Sequence, residues 1–357
     1  MRDDYYHFLR EHGHRKEHGK EHEGYFENKG AILNKLAREL TVDHFVGSEA
    51  SRFLRSYGTH GPFAMMVGFP GPHCPYDPTA EFLAQVDTSR IPEAVPEVPG
   101  DAPGLRASNV AGNLLPWNGV DYTVFPDETK RTIRSHYAAS VKQIDEEVGE
   151  ILATLDELGL AENTVVVFSS DHGDYLGDHN LIGKGSFFDS STHVPLLVRA
   201  PDVAPRVTAD LVELGDVTAT LLAFAGINLP GYLDSIPLPQ LGLAWERPRE
   251  HIVGATSSSW MIQDRKWRLA RYESRETLLF DFENDPNEQH NLAGSVVGRD
   301  KLLELDGLLT QAVMRYTTAS HYPARVYTVD LSSDPGFGFE GLRRPYPRSY
   351  DGEGNQV

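Results

Sequence analysis

The most constraining stretch of this chain is a long one-faced helix that runs, through a glycine, into a short strand ending in acid and imidazole. Ile133, Tyr137, Val141, Ile144, Val148, Ile151 and Leu155 recur every three or four residues. That spacing predicts an amphipathic helix from about Asp127 to Leu158. Gly159 sits where such a helix stops, because glycine takes the left-handed conformation that closes a helix end. After a short turn, Thr164-Val165-Val166-Val167-Phe168-Ser169 is β-branched and apolar, as in a strand buried on both faces. A helix of this length followed by such a strand belongs to an α/β layered fold.

Two further apolar runs extend this pattern. Pro62-Phe63-Ala64-Met65-Met66-Val67-Gly68-Phe69 is ended by Pro70-Gly71-Pro72 and reads as a second buried strand. Val194-Pro195-Leu196-Leu197-Val198 reads as a third. Strands alternating with helices imply a mainly parallel sheet flanked by helices. Upstream, Phe45, Ala50, Phe53 and Leu54 mark one face of a helix over 41–56. Residues 1–40 are polar and read as loop with some helix, and 88–126 is Pro/Gly-rich and reads as an irregular surface excursion. Beyond about Trp245 the character changes. Segments at 251–254, 260–263, 267–272 and 278–282 predict a small antiparallel sheet, followed by a helix over 299–316. The expected organisation is an α/β domain over 1–245, a small α+β subdomain over 246–316 and a tail over 317–357. That tail is either an arm against a neighbouring subunit, hence a route to a homo-oligomer, or a loose end.

Charge and composition exclude several classes. A formal net charge of -19 repels nucleic acid and anionic membrane surfaces, so neither is expected as a partner. An anionic substrate must then be held by local cations. The single cysteine, Cys74, excludes an intramolecular disulfide framework and a Cys-based zinc cluster. The opening MRDDYYHFLREHGHRK has no apolar signal region, and no run is long enough to span a bilayer. As written the chain is expected to be soluble, and cytoplasmic if Met1 is the true start.

In open parallel sheets, ligands bind beyond the carboxyl ends of the strands. There the strand through Phe168 delivers Ser169-Ser170-Asp171-His172-Gly173-Asp174, and the run through Phe69 delivers Pro72-His73-Cys74-Pro75-Tyr76-Asp77. Adjacent Asp171 and His172 offer a carboxylate and an imidazole to one divalent cation. Lys184, between Gly183 and Gly185, can approach an anionic oxyacid closely. On spacing alone, a helix cap at Asp171 and a surface lysine at Lys184 read equally well. The series His12, His14, His18, His22 matches no closed tetrahedral pattern and reads as a solvated loop. Gly177 to Lys184 resembles a phosphate-binding loop, but five residues separate its glycines and Gly185 stands where Ser or Thr is required. Cys74 has no activating pattern around it and reads as a packed thiol.

The segment SSDHGDYLGDHNLIGKGSFFDSSTHVPLLVRAP (169–201) closely resembles the second metal-and-anion motif of the sulfatase family, within the alkaline phosphatase superfamily. The resemblance continues with FAMMVGFPGPHCPYDP (63–78), IDEEVGEILATLDELGLAENTVVVFSSDHG (144–173), LVELGDVTATLLAFAGINLP (211–230) and LLFDFENDPNEQHNLAG (278–294). It implies an alkaline phosphatase-like fold, N-terminally incomplete here, and hydrolysis of a small-molecule or carbohydrate sulfate ester. It gives Asp171 and His172 as metal ligands, with calcium the family's usual ion and manganese or zinc admitted by the imidazole. Lys184 holds the sulfate, and His73 contacts it and protonates the leaving group. Asp174, Asp178 and His179 are neighbours that could support these ligands. The related reading is a phosphonate monoester or phosphodiester hydrolase.

Two departures stand out. The family's C-x-P-S-R-like motif, whose Cys or Ser matures to a formylglycine nucleophile, occurs nowhere in this sequence, and Asp3-Asp4 precede no such motif. Thr192-His193 stands where the family usually has arginine before Val-Pro-Leu. The chain alone is therefore expected to be inactive, either part of a working enzyme or a non-catalytic remnant.

Overall fold

The computed structural model describes residues 3–17, 19–230, 233–244, 246–256 and 258–320. His18, Trp245 and the tail beyond 320 lie outside the described residues. In chain order the elements are α1 (Asp4–Glu11), α2 (Val42–Tyr57), α3 (Ala80–Leu83), α4 (Pro103–Leu114) and α5 (Asp127–Glu157). They continue with β1 (Val166–Ser169), α6 (Asp189–Thr192), β2 (Leu196–Arg199), α7 (Gly215–Phe224), β3 (Ile252–Ala255), β4 (Ser259–Gln263), β5 (Trp267–Tyr272), β6 (Thr277–Asp281) and α8 (Arg299–Ser320). Two compact units divide the chain: one runs through Ala94 and resumes at Gly112–Thr164, the other takes Val95–Ala111 and the described chain from Val165 onward.

In the first unit, α5 packs on α2. Ile133, Ile144 and Leu155 are buried as the periodicity requires, but Val141 is exposed. Gln143 and Glu147 are buried instead, because α2 and its approach bring polar partners to them. Glu147 accepts from Arg38 Nη2 and pairs with His44 Nδ1, each at 3.0 Å. Burial pushes the Glu147 carboxyl up, but its bonds to His44 and Arg38 outweigh this and hold it below the usual carboxylate range. Gly47 makes the approach possible: a Cβ there would lie 2.8 Å from Glu147 Oε2. The helix ends as expected, with Gly159 at φ +66° and Leu160 N–H donating to Leu155 O at 2.9 Å. Inside the excursion expected to be irregular, α4 forms with Pro103 in its first turn, where the missing N–H costs nothing.

The apolar run 62–69 is not a buried strand. Its exposure alternates residue by residue, Met66 is 95% exposed, and among the described residues no backbone hydrogen bond joins 62–69 to a neighbour. Apolarity made it strand-like, but a strand also needs a partner ladder.

In the second unit, β1 and β2 pair antiparallel, Val166 opposite Arg199, where parallel pairing was expected. A parallel return needs a crossover helix. Residues 170–195 between these strands hold a 3-10 turn (Asp178–Asn180) and the four-residue α6 but no crossover helix, and the chain comes back reversed. Phe168 and Leu197 remain exposed. Among the described residues, parallel pairing is confined to the isolated bridge Ala31–Tyr76 of the first unit. The C-terminal sheet β3-β4-β5-β6 is an antiparallel meander, as its alternation predicted. Ile262, Leu269 and Leu279 on one face meet Leu305 and Leu309 of α8. On the other face Met261, Ala270, Tyr272, Leu278 and Phe280 meet Tyr175, Leu181, Phe187 and Phe188. The fold is thus α/β with an antiparallel C-terminal sheet. Among the described residues no helix is long and apolar enough to cross a membrane.

Candidate functional site

Three of the four expected site residues fall in the second unit, on one continuous turn and arch. β1 ends at Ser169, and the backbone then folds sharply. His172 N–H donates to Asp171 Oδ1 at 2.9 Å, and Ser170 Oγ donates to His172 O at 2.9 Å. The His172 ring is held through Nδ1, which donates to Gly173 O at 2.8 Å. A carbonyl only accepts, so Nδ1 carries a proton, and in the neutral ring the lone pair is on Nε2. That lone pair faces Asp171 Oδ2 at 3.4 Å, and the Asp171 side chain is 82% exposed.

An imidazole nitrogen and a carboxylate oxygen this close can be offered to one cation, and a histidine fixed through its other nitrogen is how metal-binding imidazoles are oriented. The pair therefore fits a divalent ion. It supplies two ligands: among the described residues no group of three or more His, Cys, Asp or Glu could hold a metal.

Gly173 closes the turn against α6. Its N–H donates to Ser191 O at 2.9 Å, and a Cβ at this position would lie 2.1 Å from Ser190 O. The next residues form a hairpin that carries Lys184. Asp174 Oδ1 accepts from Leu176 N (3.0 Å) and Gly183 N (2.9 Å), and Tyr175 N–H donates to Gly183 O at 2.9 Å. Tyr175 Oη meets Ser186 Oγ at 2.7 Å. Gly183 and Gly185 take φ of +73° and +125°, conformations that admit glycine best. They raise Lys184 on an exposed arch. The same strands of backbone thus position Asp171, His172 and Lys184. Of the neighbours named from sequence, Asp174 locks this hairpin. Asp178 accepts from Val95 N at 2.8 Å, and His179, stacked 3.9 Å from Phe188, is held below the usual imidazole range by burial. His193 is exposed and its Nδ1 lies 3.0 Å from Asp189 Oδ2.

His73 belongs to the first unit. It is exposed, with Nδ1 donating to Cys74 O at 2.7 Å. Its loop is anchored at both ends by carboxylates that sequence reasoning missed, Asp43 buried and Asp77 half-buried. Gly71 N–H donates to Asp43 Oδ1 at 3.0 Å, and Asn34 Nδ2 donates to Asp77 Oδ2 at 3.0 Å. Burial, aided by Asp43, pushes the Asp77 carboxyl up to about 7. Burial likewise raises Asp43. Cys74 is half-buried, its Sγ 4.0 Å from Asn118 Oδ1, the packed thiol expected. Also missed was Arg268, which lies in an apolar strand and finds its partners about 80 and 20 residues away; alternation marks such a residue as inward but not what it meets.

Known proteins share much of this sequence and fold. The Sulfatase family model matches residues 4–227. The chain is 29% identical to an arylsulfatase of Clostridium perfringens over 74% of its own length and 56% of that protein's. It is 30% identical to a choline-sulfatase of Rhizobium meliloti, over 74% of this chain and 54% of that one. Its fold matches the phosphonate monoester hydrolase of Agrobacterium radiobacter with a TM-score of 0.72 at 21% identity, covering 88% of this chain and 69% of that one. The chain spans about half the length of these curated relatives.

Proposed function

The chain belongs to the sulfatase family, and from that we propose that it carries the metal-and-anion half of a sulfuric ester hydrolase site. The carrying observation is the Asp171–His172 pair, with Nε2 and Oδ2 facing each other at 3.4 Å. These two side chains would hold a divalent cation, calcium by family habit, with manganese or zinc open to the imidazole. When bound, such an ion withdraws charge from the oxygens of an ester and so acts as a Lewis acid. Lys184, lifted between two glycines, binds and orients the sulfate oxygens of a small-molecule or carbohydrate ester. His73, tethered through Nδ1, delivers a proton from Nε2 to the departing alcohol. A formylglycine nucleophile belongs to the reading but comes from no residue here, since Cys74 is packed and lacks the C-x-P-S-R context.

A mainly parallel sheet is part of the same proposal. Its support is the apolar run 62–69, whose exposure alternates residue by residue and which has no ladder partner among the described residues. The test is titration of the 357-residue chain with Ca²⁺ and Mn²⁺ beside Asp171→Ala, followed by an aryl sulfate and an aryl phosphodiester. Binding abolished by Asp171→Ala, with neither ester hydrolysed, is expected. Unchanged binding in the variant refutes the metal assignment, and turnover by the chain as it stands refutes the account of the nucleophile.

A further inference from the structure

We propose that Arg268, on the C-terminal sheet, is a positioning residue for the Asp171–His172 pair, acting through α6; this rests on the metal assignment made above. Arg268 lies on β5 with its side chain only 3% exposed. Its guanidinium is a three-way clamp: Nη1 donates to Phe187 O (2.6 Å) and Glu288 Oε1 (2.8 Å), and Nη2 donates to Asp189 Oδ1 (2.8 Å). Nε donates to Gln263 Oε1 at 2.8 Å, and Phe282 lies 4.7 Å away across the guanidinium plane. Glu288, equally buried, turns its second oxygen to the Asp189 N–H at 2.7 Å. The first residue of α6 is thus held by both backbone and side chain.

That grip reaches the metal pair in two steps. α6 is a single turn, too short to hold a position by its own hydrogen bonds. Its carbonyls form the floor on which Gly173 sits: Ser191 O accepts the Gly173 N–H at 2.9 Å, and Ser190 O leaves no room for a side chain there. Gly173 O in turn accepts from His172 Nδ1 at 2.8 Å and sets the ring. Moving α6 moves the ring. A simple staple would not need this chemistry, because a buried ion pair is often no more stabilising than apolar residues of the same volume. What a forked guanidinium adds is fixed geometry at several acceptors at once.

The experiment is Mn²⁺ titration of the full chain, followed by electron paramagnetic resonance, for parent, Asp171→Ala, Arg268→Lys, the pair Arg268→Met/Glu288→Met, and Leu269→Ala. The double variant removes both buried charges together and leaves only Asp189, whose side chain is 40% exposed and still faces His193 Nδ1 at 3.0 Å. Leu269 points to the opposite face of β5, against α8, and controls for loss of stability alone. Expected is a fall in Mn²⁺ affinity of about 10- to 100-fold in both Arg268 variants, the usual cost of losing a ligand's support. Leu269→Ala should melt earlier and keep the parental affinity. The proposal is overturned if both Arg268 variants bind Mn²⁺ like the parent, or if Leu269→Ala loses as much. If Asp171→Ala keeps full affinity, the metal assignment itself is wrong and Arg268 loses its role with it.

Discussion

Replacing Gly173 by alanine tests how tightly the metal turn is seated. The new Cβ would lie 2.1 Å from Ser190 O, and real Cβ contacts essentially never fall below 3.0 Å. The gap must therefore open by at least 0.9 Å. Neither neighbour is a flexible side chain, since the obstacle is the backbone of α6, which is clamped at Asp189. If the turn retreats, the Gly173 N–H to Ser191 O bond, now 2.9 Å, stretches beyond hydrogen-bond reach. Overpacking of this kind costs about 1–3 kcal/mol and the lost bond about 1 more. At roughly 2–4 °C per kcal/mol, the melting temperature should fall by about 4–16 °C. Ligand distances tolerate only about 0.2 Å, so Mn²⁺ affinity should fall by at least about tenfold. Differential scanning fluorimetry and a Mn²⁺ titration read both quantities. A variant that melts within about 1 °C of the parent and binds Mn²⁺ equally well would show that the turn is not pinned by α6.

Two other consequences are open to measurement. Asp77 releases its proton near 3.8 when unfolded and near 7 when folded, so between those values the folded chain binds more protons and stability falls as pH rises. Asp77→Asn should match the parent near pH 4 and exceed it at pH 8 by up to about 4 kcal/mol, read from urea midpoints; an equal difference at both pH values would contradict burial as the cause. Met66→Lys should change stability by less than about 0.5 kcal/mol, because Met66 is 95% exposed; unfolding of that variant would restore the buried-strand reading of 62–69.

What the sequence disclosed, and what it withheld, follows from the range of the forces involved. The helix over 127–158 was legible because periodicity and the Gly159 stop are local, and α5 spans Asp127–Glu157. The meander was legible because each strand pairs with its sequence neighbour, so alternation and short turns sufficed. The run 62–69 misled because apolarity reports burial only when a partner exists. The direction of β2 relative to β1 was misread because it depends on what the intervening residues can span. The candidate site divided along the same line. A strand end and flanking glycines drew attention to Asp171, His172 and Lys184, but spacing left a helix cap and a surface lysine equally open, and the family resemblance decided between them. The clamp of Arg268 with Asp189 and Glu288, and the anchoring of the His73 loop by Asp43 and Asp77, depend on pairings between distant segments that no spacing encodes.

The assignment of Val95–Ala111 to the second unit has a topological consequence. The backbone enters that unit, leaves it for the whole of α5, and enters it again, so no single cut separates the two units. The excursion is joined to later chain by Asn109 Nδ2 to Ile182 O, across 73 residues, and by Gly104 N–H to Glu276 Oε1, across 172. Closing the longer loop costs only about 0.8 kcal/mol more than the shorter, since loop entropy grows logarithmically. The burden falls on time rather than on equilibrium: contacts so far apart in sequence form late. During synthesis, residues 95–111 must wait for β5 and β6 to emerge before the Glu276 contact exists. The arch bearing Lys184, bound to Asn109 through Ile182, can close earlier.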